Sequence, residues 1–183
     1  MSDTADRYRK LAGQMEDRIA AVSGDQWDHD SPCEGWTARD VVRHVVDTSG
    51  MFLSFIGESV PADAPSVDAD PLGAYRAATG AVQAALDDPA RAGQEFDGMT
   101  GRTTFEQSVG QFGCGDLVIH QWDLARATGQ DERLDPDEVR QMHAGLQHAG
   151  DMIRSPGVFG PAIEPAPDAD EQTRFLNFVG RRV

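Results

Sequence analysis

The sequence predicts an all-α fold, an antiparallel helical bundle. Apolar residues recur at three- and four-residue steps through long stretches, the alternation expected of strands is nearly absent, and Thr, Asp and Pro stand where helices would begin. A chain of 183 residues can build one domain with a substantial core, so a single domain over 1–183 is expected.

The first helix is marked by Tyr8, Leu11, Met15, Ile19 and Val22, one stripe at helical spacing. The second follows Ser-Pro-Cys-Glu-Gly-Trp, with Thr37 as N-cap and Asp40 three residues on, a capping-box pattern. Val41, Val45, Phe52 and Phe55 give it an apolar face. Residues 61–71 are a Pro- and Asp-rich loop. Leu72, Tyr75, Thr79, Val82 and Leu86 mark the third helix. Pro and Gly then interrupt residues 89–102, where Asp97-Gly98 signals a turn and a short extended excursion fits.

Thr103 with Glu106 reads as a second capping box, opening a long fourth helix. Asp135-Pro136-Asp137-Glu138 supplies an N-cap, a first-turn proline and acids at the positive end of the helix dipole. Val139, Met142, Leu146 and Ile153 form the buried side of that fifth helix. A short amphipathic piece with Phe175, Leu176, Phe178 and Val179 closes the chain.

Apolar content of 39% and charged content of 26% fit a folded globular protein. The net charge of −15, with Lys10 as the only lysine, argues against nucleic-acid binding, because phosphate contacts need clustered cations. No segment approaches the ~20 apolar residues of a membrane span, and the polar N-terminus lacks a secretory core. A cytoplasmic protein is expected. Two cysteines, Cys33 and Cys114, are too few for a disulfide framework.

Chemistry concentrates in the fourth helix. Phe105, Val109, Phe112, Asp116, His120, Asp123 and Ala127 recur at helical steps, so three ionisable groups fall on a stripe that opens as core. Buried there, they must be paired, neutralised or bound to a metal. Asp116 and His120, four apart, can reach one ion together, and His44 beside the apolar face of the second helix is the best third ligand. Zinc suits two imidazoles and a carboxylate, and Fe, Ni or Mn fit the same set. On spacing alone, a buried ion-pair network explains these residues better than a metal site does. Asp123 is expected to orient His120 or to meet Arg126. Trp36 and Trp122 read as packing anchors whose indole N–H finds a partner, and Cys114 as a small buried residue. No His/Asp pair is placed by sequence beside either cysteine.

Two segments resemble a known family. Ser31-Pro-Cys-Glu-Gly-Trp36-Thr-Ala-Arg-Asp40-Val-Val-Arg-His44 and His120-Gln-Trp-Asp-Leu-Ala-Arg-Ala-Thr-Gly129 resemble the two signatures of the mycothiol-dependent maleylpyruvate isomerase N-terminal family, in the DinB/YfiT-like superfamily. The closing Arg174-Phe-Leu-Asn-Phe-Val-Gly-Arg181 resembles the end of its short, single-domain actinobacterial members. The resemblance implies a four-helix bundle with an additional C-terminal helical segment. It also implies metal ligation by His44, Asp116 and His120, with Asp116 standing where the isomerase has Glu. Activation of mycothiol for a transferase or isomerase reaction on a small electrophile would follow, with Arg126 as an anion contact for the thiol cofactor. A non-catalytic metal- or small-molecule-binding bundle, and a lyase or cyclase working without thiol, remain open alternatives. The apolar helix faces are also compatible with a homodimer.

Overall fold

The computed structural model describes residues 2–98, 101–148 and 159–183. They fall into two compact units, Met1–Gln130 and Asp131–Val183.

The first unit is built on four long helices, α1 (Asp3–Ala20), α2 (Ala38–Phe55), α3 (Pro71–Asp87) and α6 (Cys114–Thr128). Between α3 and α6 lie a single turn α4 (Pro89–Ala92), a hairpin of β1 (Glu95–Gly98) and β2 (Gly101–Thr104), and a short α5 (Phe105–Ser108). α1 packs against α3 and α6, and α2 packs against the same two helices. The chain is thus mostly helical, as its periodicity predicts. Tyr75 donates to the Ala12 carbonyl at 2.9 Å and Gln83 to that of Ala5 at 3.2 Å, so α1 and α3 run antiparallel. Arg43 meets Asp68 just before α3, and Glu58 meets Arg91 just after it. α2 and α3 therefore point the same way, which requires the long connection between them.

The first three long helices form where their sequence patterns place them, except that α1 ends at Ala20, short of Val22. Tyr8, Leu11, Met15 and Ile19 of α1 are buried, as are Tyr75, Thr79, Val82 and Leu86 of α3. Burying a large apolar side chain stabilises the fold by roughly 1.5–3 kcal/mol. Asp70 caps α3 ahead of Pro71, and Gly129, at φ 68°, ends α6 in the left-handed conformation that glycine adopts without strain.

The Thr37–Asp40 capping box is present: Asp40 N–H donates to Thr37 Oγ1 at 3.3 Å, and Thr37 N–H to Asp40 Oδ2 at 3.0 Å. Chiefly that backbone hydrogen bond holds the Asp40 carboxyl below its ordinary value. The box therefore contributes stability above the unfolded carboxylate's pKa and loses it as pH falls through the lowered folded value. Thr37→Ala is expected to cost about 1 kcal/mol, read as a lower thermal midpoint at neutral pH; an unchanged midpoint would refute the capping role.

Two expectations need correction at the long fourth helix. Its N-cap is Thr104 with Gln107, not Thr103 with Glu106: Thr104 Oγ1 accepts from the Gln107 N–H at 3.2 Å, and the Gln107 side chain accepts from the Thr104 N–H at 3.2 Å. The helix is also not uniformly α. Residues Val109–Gly113 form a π turn in which Cys114 N–H bonds the Val109 carbonyl. The wider turn shifts the phase by one residue. Phe105 and Val109 remain buried, but Phe112 swings out to 43% exposure and Gly113 takes the inward place. A Cβ on Gly113 would stand 3.2 Å from Phe52 Cε2, so the glycine permits the close approach of α2.

In the second unit α7 (Pro136–His148) packs against α8 (Glu171–Phe178). Asp135 caps α7 through the Asp137 N–H at 2.9 Å. Val139, Phe175, Leu176 and Val179 are buried, and the His143 ring lies 5.5 Å from that of Phe178. Ile153 lies outside the described residues. Among the described residues no helix is long and apolar enough to cross a membrane.

Candidate metal centre

α2 and α6 bring three side chains to one point. His44 Nε2 and His120 Nε2 each stand 3.2 Å from Asp116 Oδ1. The two imidazole centroids are 4.7 Å apart, nearly edge to face. Periodicity already placed Asp116 above His120 on one face; packing of α2 on α6 adds His44. The centre opens to one side, since His44 is 35% and Asp116 24% exposed in their side chains while His120 is 7%.

The spacing suits a shared cation. Two atoms each ~2.1 Å from a tetrahedral ion stand about 3.4 Å apart. A charge-assisted N–H···O bond is shorter, roughly 2.7–2.9 Å, and the other side of the same ring shows one: His120 Nδ1 lies 2.9 Å from Asp123 Oδ2. Asp123 is wholly buried, with this oxygen turned to the His120 ring. A donor at Nδ1 leaves the Nε2 lone pair aimed at Asp116, the arrangement of a metal-binding imidazole.

Charges within the cluster reinforce one another. Burial pushes the Asp116 carboxyl up, but the neighbouring His120 and His44 outweigh it and leave it below the ordinary value. For His120 burial pushes down, but the Asp116 charge, the hydrogen bonds the ring donates to Asp116 and Asp123, and its contact with Cys33 raise it well above 6.5. In the metal-free chain a proton thus takes the place a cation would hold. Beneath Asp116 lies a cavity of about 10 Å³, bordered by Tyr8, Thr48 and Ser49, room for one water. Burial raises the Tyr8 pKa, so its hydroxyl stays protonated there.

Two neighbours escape a reading of the sequence alone. Cys33 Sγ lies 3.3 Å from Asp123 Oδ2, so a His/Asp pair does stand beside this cysteine. Trp36 is more than a packing anchor: its ring centroid is 5.0 Å from that of His44 and 6.0 Å from that of His120, covering both. Both come from the turn Ser31–Trp36, whose approach to α6 leaves no periodic signal. The positive φ of Gly35, 76°, is its only local mark. Cys114 is buried as expected. Trp122 is also buried, but among the described residues its Nε1 has no hydrogen-bond partner, contrary to expectation. The Arg126 guanidinium lies 5.5 Å from the centroid of the Trp122 ring.

The chain matches a family described as the mycothiol maleylpyruvate isomerase N-terminal domain over residues 8–125, which takes in Cys33, Trp36, His44, Asp116, His120 and Asp123. It is 29% identical over 163 residues to uncharacterised proteins of two Mycobacterium tuberculosis strains, CDC 1551 / Oshkosh and ATCC 25618 / H37Rv. Each alignment covers 86% of this chain and 88% of the relative. No solved structure matches.

Proposed function

The chain belongs to the mycothiol maleylpyruvate isomerase N-terminal domain family, and from that premise we propose that it holds a divalent ion on His44, Asp116 and His120. There it would activate a low-molecular-weight thiol, mycothiol, against a small electrophile in the cytoplasm. The observation that carries this reading is the convergence of two imidazole Nε2 atoms on one carboxylate oxygen at 3.2 Å. The donor set favours zinc, with Fe, Ni or Mn as alternatives. A bound ion supplies a Lewis acid that lowers the pKa of a thiol at an open position.

The chain's own groups do the rest. Asp123 fixes His120, and Trp36 shields one side of both imidazoles from water. Three of the exposed large apolar side chains, Met51, Phe55 and Phe112, sit on the two segments that carry His44 and Asp116. Met51 and Phe112, within two helical turns of His44 and Asp116 respectively, offer apolar surface for the carbon skeleton of a substrate. Arg126 remains the proposed anion contact for the thiol cofactor. In the reaction itself the thiolate sulfur bonds the β carbon of an unsaturated acid, the π pair moves to the carbonyl oxygen, and the α carbon takes a proton. After rotation about the Cα–Cβ bond, loss of a proton from the α carbon as the C–S bond breaks restores the double bond, releases the thiolate and gives the isomer; retention of the sulfur gives the S-conjugate.

The test is zinc-loaded protein mixed with mycothiol and an α,β-unsaturated carboxylic acid, following free thiol and the isomer ratio. Saturable turnover that needs both zinc and thiol is expected. Metal binding without turnover would instead favour a non-catalytic bundle, and turnover without thiol a lyase or cyclase.

A further inference from the structure

We propose that Cys33 is a positioning residue of this metal centre, its thiol holding Asp123 so that Asp123 fixes the His120 ring. The proposal rests on the assignment of His120 as a ligand, because it concerns the groups that stand behind that side chain.

The thiol donates to Asp123 Oδ2 at 3.3 Å, and the same oxygen lies 2.9 Å from His120 Nδ1. One carboxylate oxygen thus accepts from a thiol and an imidazole at once. Asp123 is fully buried, so its charge depends on protein donors. Two donors converging on one oxygen restrict rotation of the carboxylate and keep it pointed at Nδ1. That contact selects the tautomer whose Nε2 lone pair faces Asp116.

The backbone fixes the position of the sulfur. Cys33 N–H donates to Ser31 Oγ at 3.2 Å, and the Cys33 carbonyl accepts from Trp36 N–H at 3.0 Å. Ser31 N–H bonds the Trp36 carbonyl at 2.8 Å, closing the loop, and Gly35 supplies the positive φ, 76°, that the turn needs. One rigid turn therefore delivers both the thiol behind His120 and the indole over its face.

Cys33, His120 and Asp123 also stand close enough together to be considered as ligands themselves. The 2.9 Å contact at Nδ1 instead assigns that edge of His120 to a hydrogen bond, leaving Cys33 beside the metal rather than on it.

The experiment measures Zn(II) affinity of the full chain by competition with a chromophoric chelator, and the visible spectrum of the Co(II) form. It compares wild type, Cys33→Ala, Cys33→Ser, Asp123→Ala and the Cys33→Ala/Asp123→Ala double variant, with circular dichroism confirming folding. Asp123→Ala should weaken binding about 10- to 100-fold. Cys33→Ala should weaken it about threefold to tenfold, the loss of one hydrogen bond, and Cys33→Ser, which keeps a donor, should recover most of that. In the Asp123→Ala background Cys33→Ala should cost clearly less than it does alone, since most of its effect passes through Asp123. Should Cys33→Ala lose helicity, Cys33→Val supplies a donor-free side chain of similar size.

Unchanged affinity in Cys33→Ala, additive losses in the double variant, or no recovery by serine would each overturn the positioning role. So would a thiolate-to-cobalt charge-transfer band in wild type, which would make Cys33 a ligand. Wild type that binds no zinc would remove the ligand reading and this proposal together, whereas wild-type binding with an indifferent Cys33→Ala removes this proposal alone.

Discussion

Replacing His120 by alanine is expected to reduce bound metal to background and to destabilise the metal-free protein as well. The imidazole supplies a proposed ligand and is also the cationic partner of two carboxylates, Asp116 Oδ1 at 3.2 Å and Asp123 Oδ2 at 2.9 Å. Loss of the ligand should exceed the about 10- to 100-fold change typical of groups behind a ligand. Loss of the charge takes the imidazolium from Asp123, which has no exposed surface. Removing one partner of a buried pair generally costs about 3–5 kcal/mol.

The two consequences can be read separately, by elemental analysis of purified protein and by urea unfolding in the presence of a chelator. His44→Ala provides the contrast. Its side chain is 35% exposed, so it should lose metal with a much smaller loss of chelated-state stability. Equal and negligible metal in wild type and both variants would leave the cluster as an ion-pair network. Equal stability of chelated wild type and His120→Ala would show that the imidazolium does not support the two carboxylates.

How far the sequence reaches depends on whether a feature is local. Thr37 and Asp40 are three residues apart, so their mutual cap is written in four consecutive side chains and appears as expected. Tyr8, Leu11, Met15 and Ile19 repeat at the helical period and are buried together. Asp116 and His120 share a face for the same reason, and His44 could be guessed because it borders the apolar face of α2.

The π turn defeats this logic. Nothing in Val109–Gly113 marks an extra residue in the turn, so a strict period sends Phe112 inward, when Gly113 takes that place under Phe52. Such insertions often lie near functional sites. Here the added residue resets the helical phase just ahead of Asp116, in the first turn of α6. Cys33 and Trp36 are illegible for a different reason. Their distance from His120 is set by how the Ser31–Trp36 turn docks on α6, a tertiary fact without sequence period.

Metal affinity should also rise steeply with pH, because the ion must displace a proton from His120. In the metal-free chain that proton is held well above the ordinary histidine value: burial opposes it, but Asp116, Asp123 and Cys33 together prevail. The sign follows from competition. Below the raised pKa each unit of acidification leaves tenfold less of the deprotonated ring, so there the apparent dissociation constant rises about tenfold per pH unit.

The stability of the metal-free chain moves the other way at alkaline pH. A His120 pKa raised by folding stabilises the chain below the unfolded value of about 6.5, and that contribution is lost as pH rises through the folded value. The lowered Asp116 pKa stabilises it above the unfolded carboxylate range and is lost in strong acid. Isothermal titration with zinc in buffers of different ionisation enthalpy counts the protons released. About one from His120 is expected at neutral pH, and a flat affinity profile between pH 5 and 8 with no proton release would show that His120 does not give up its proton to a metal.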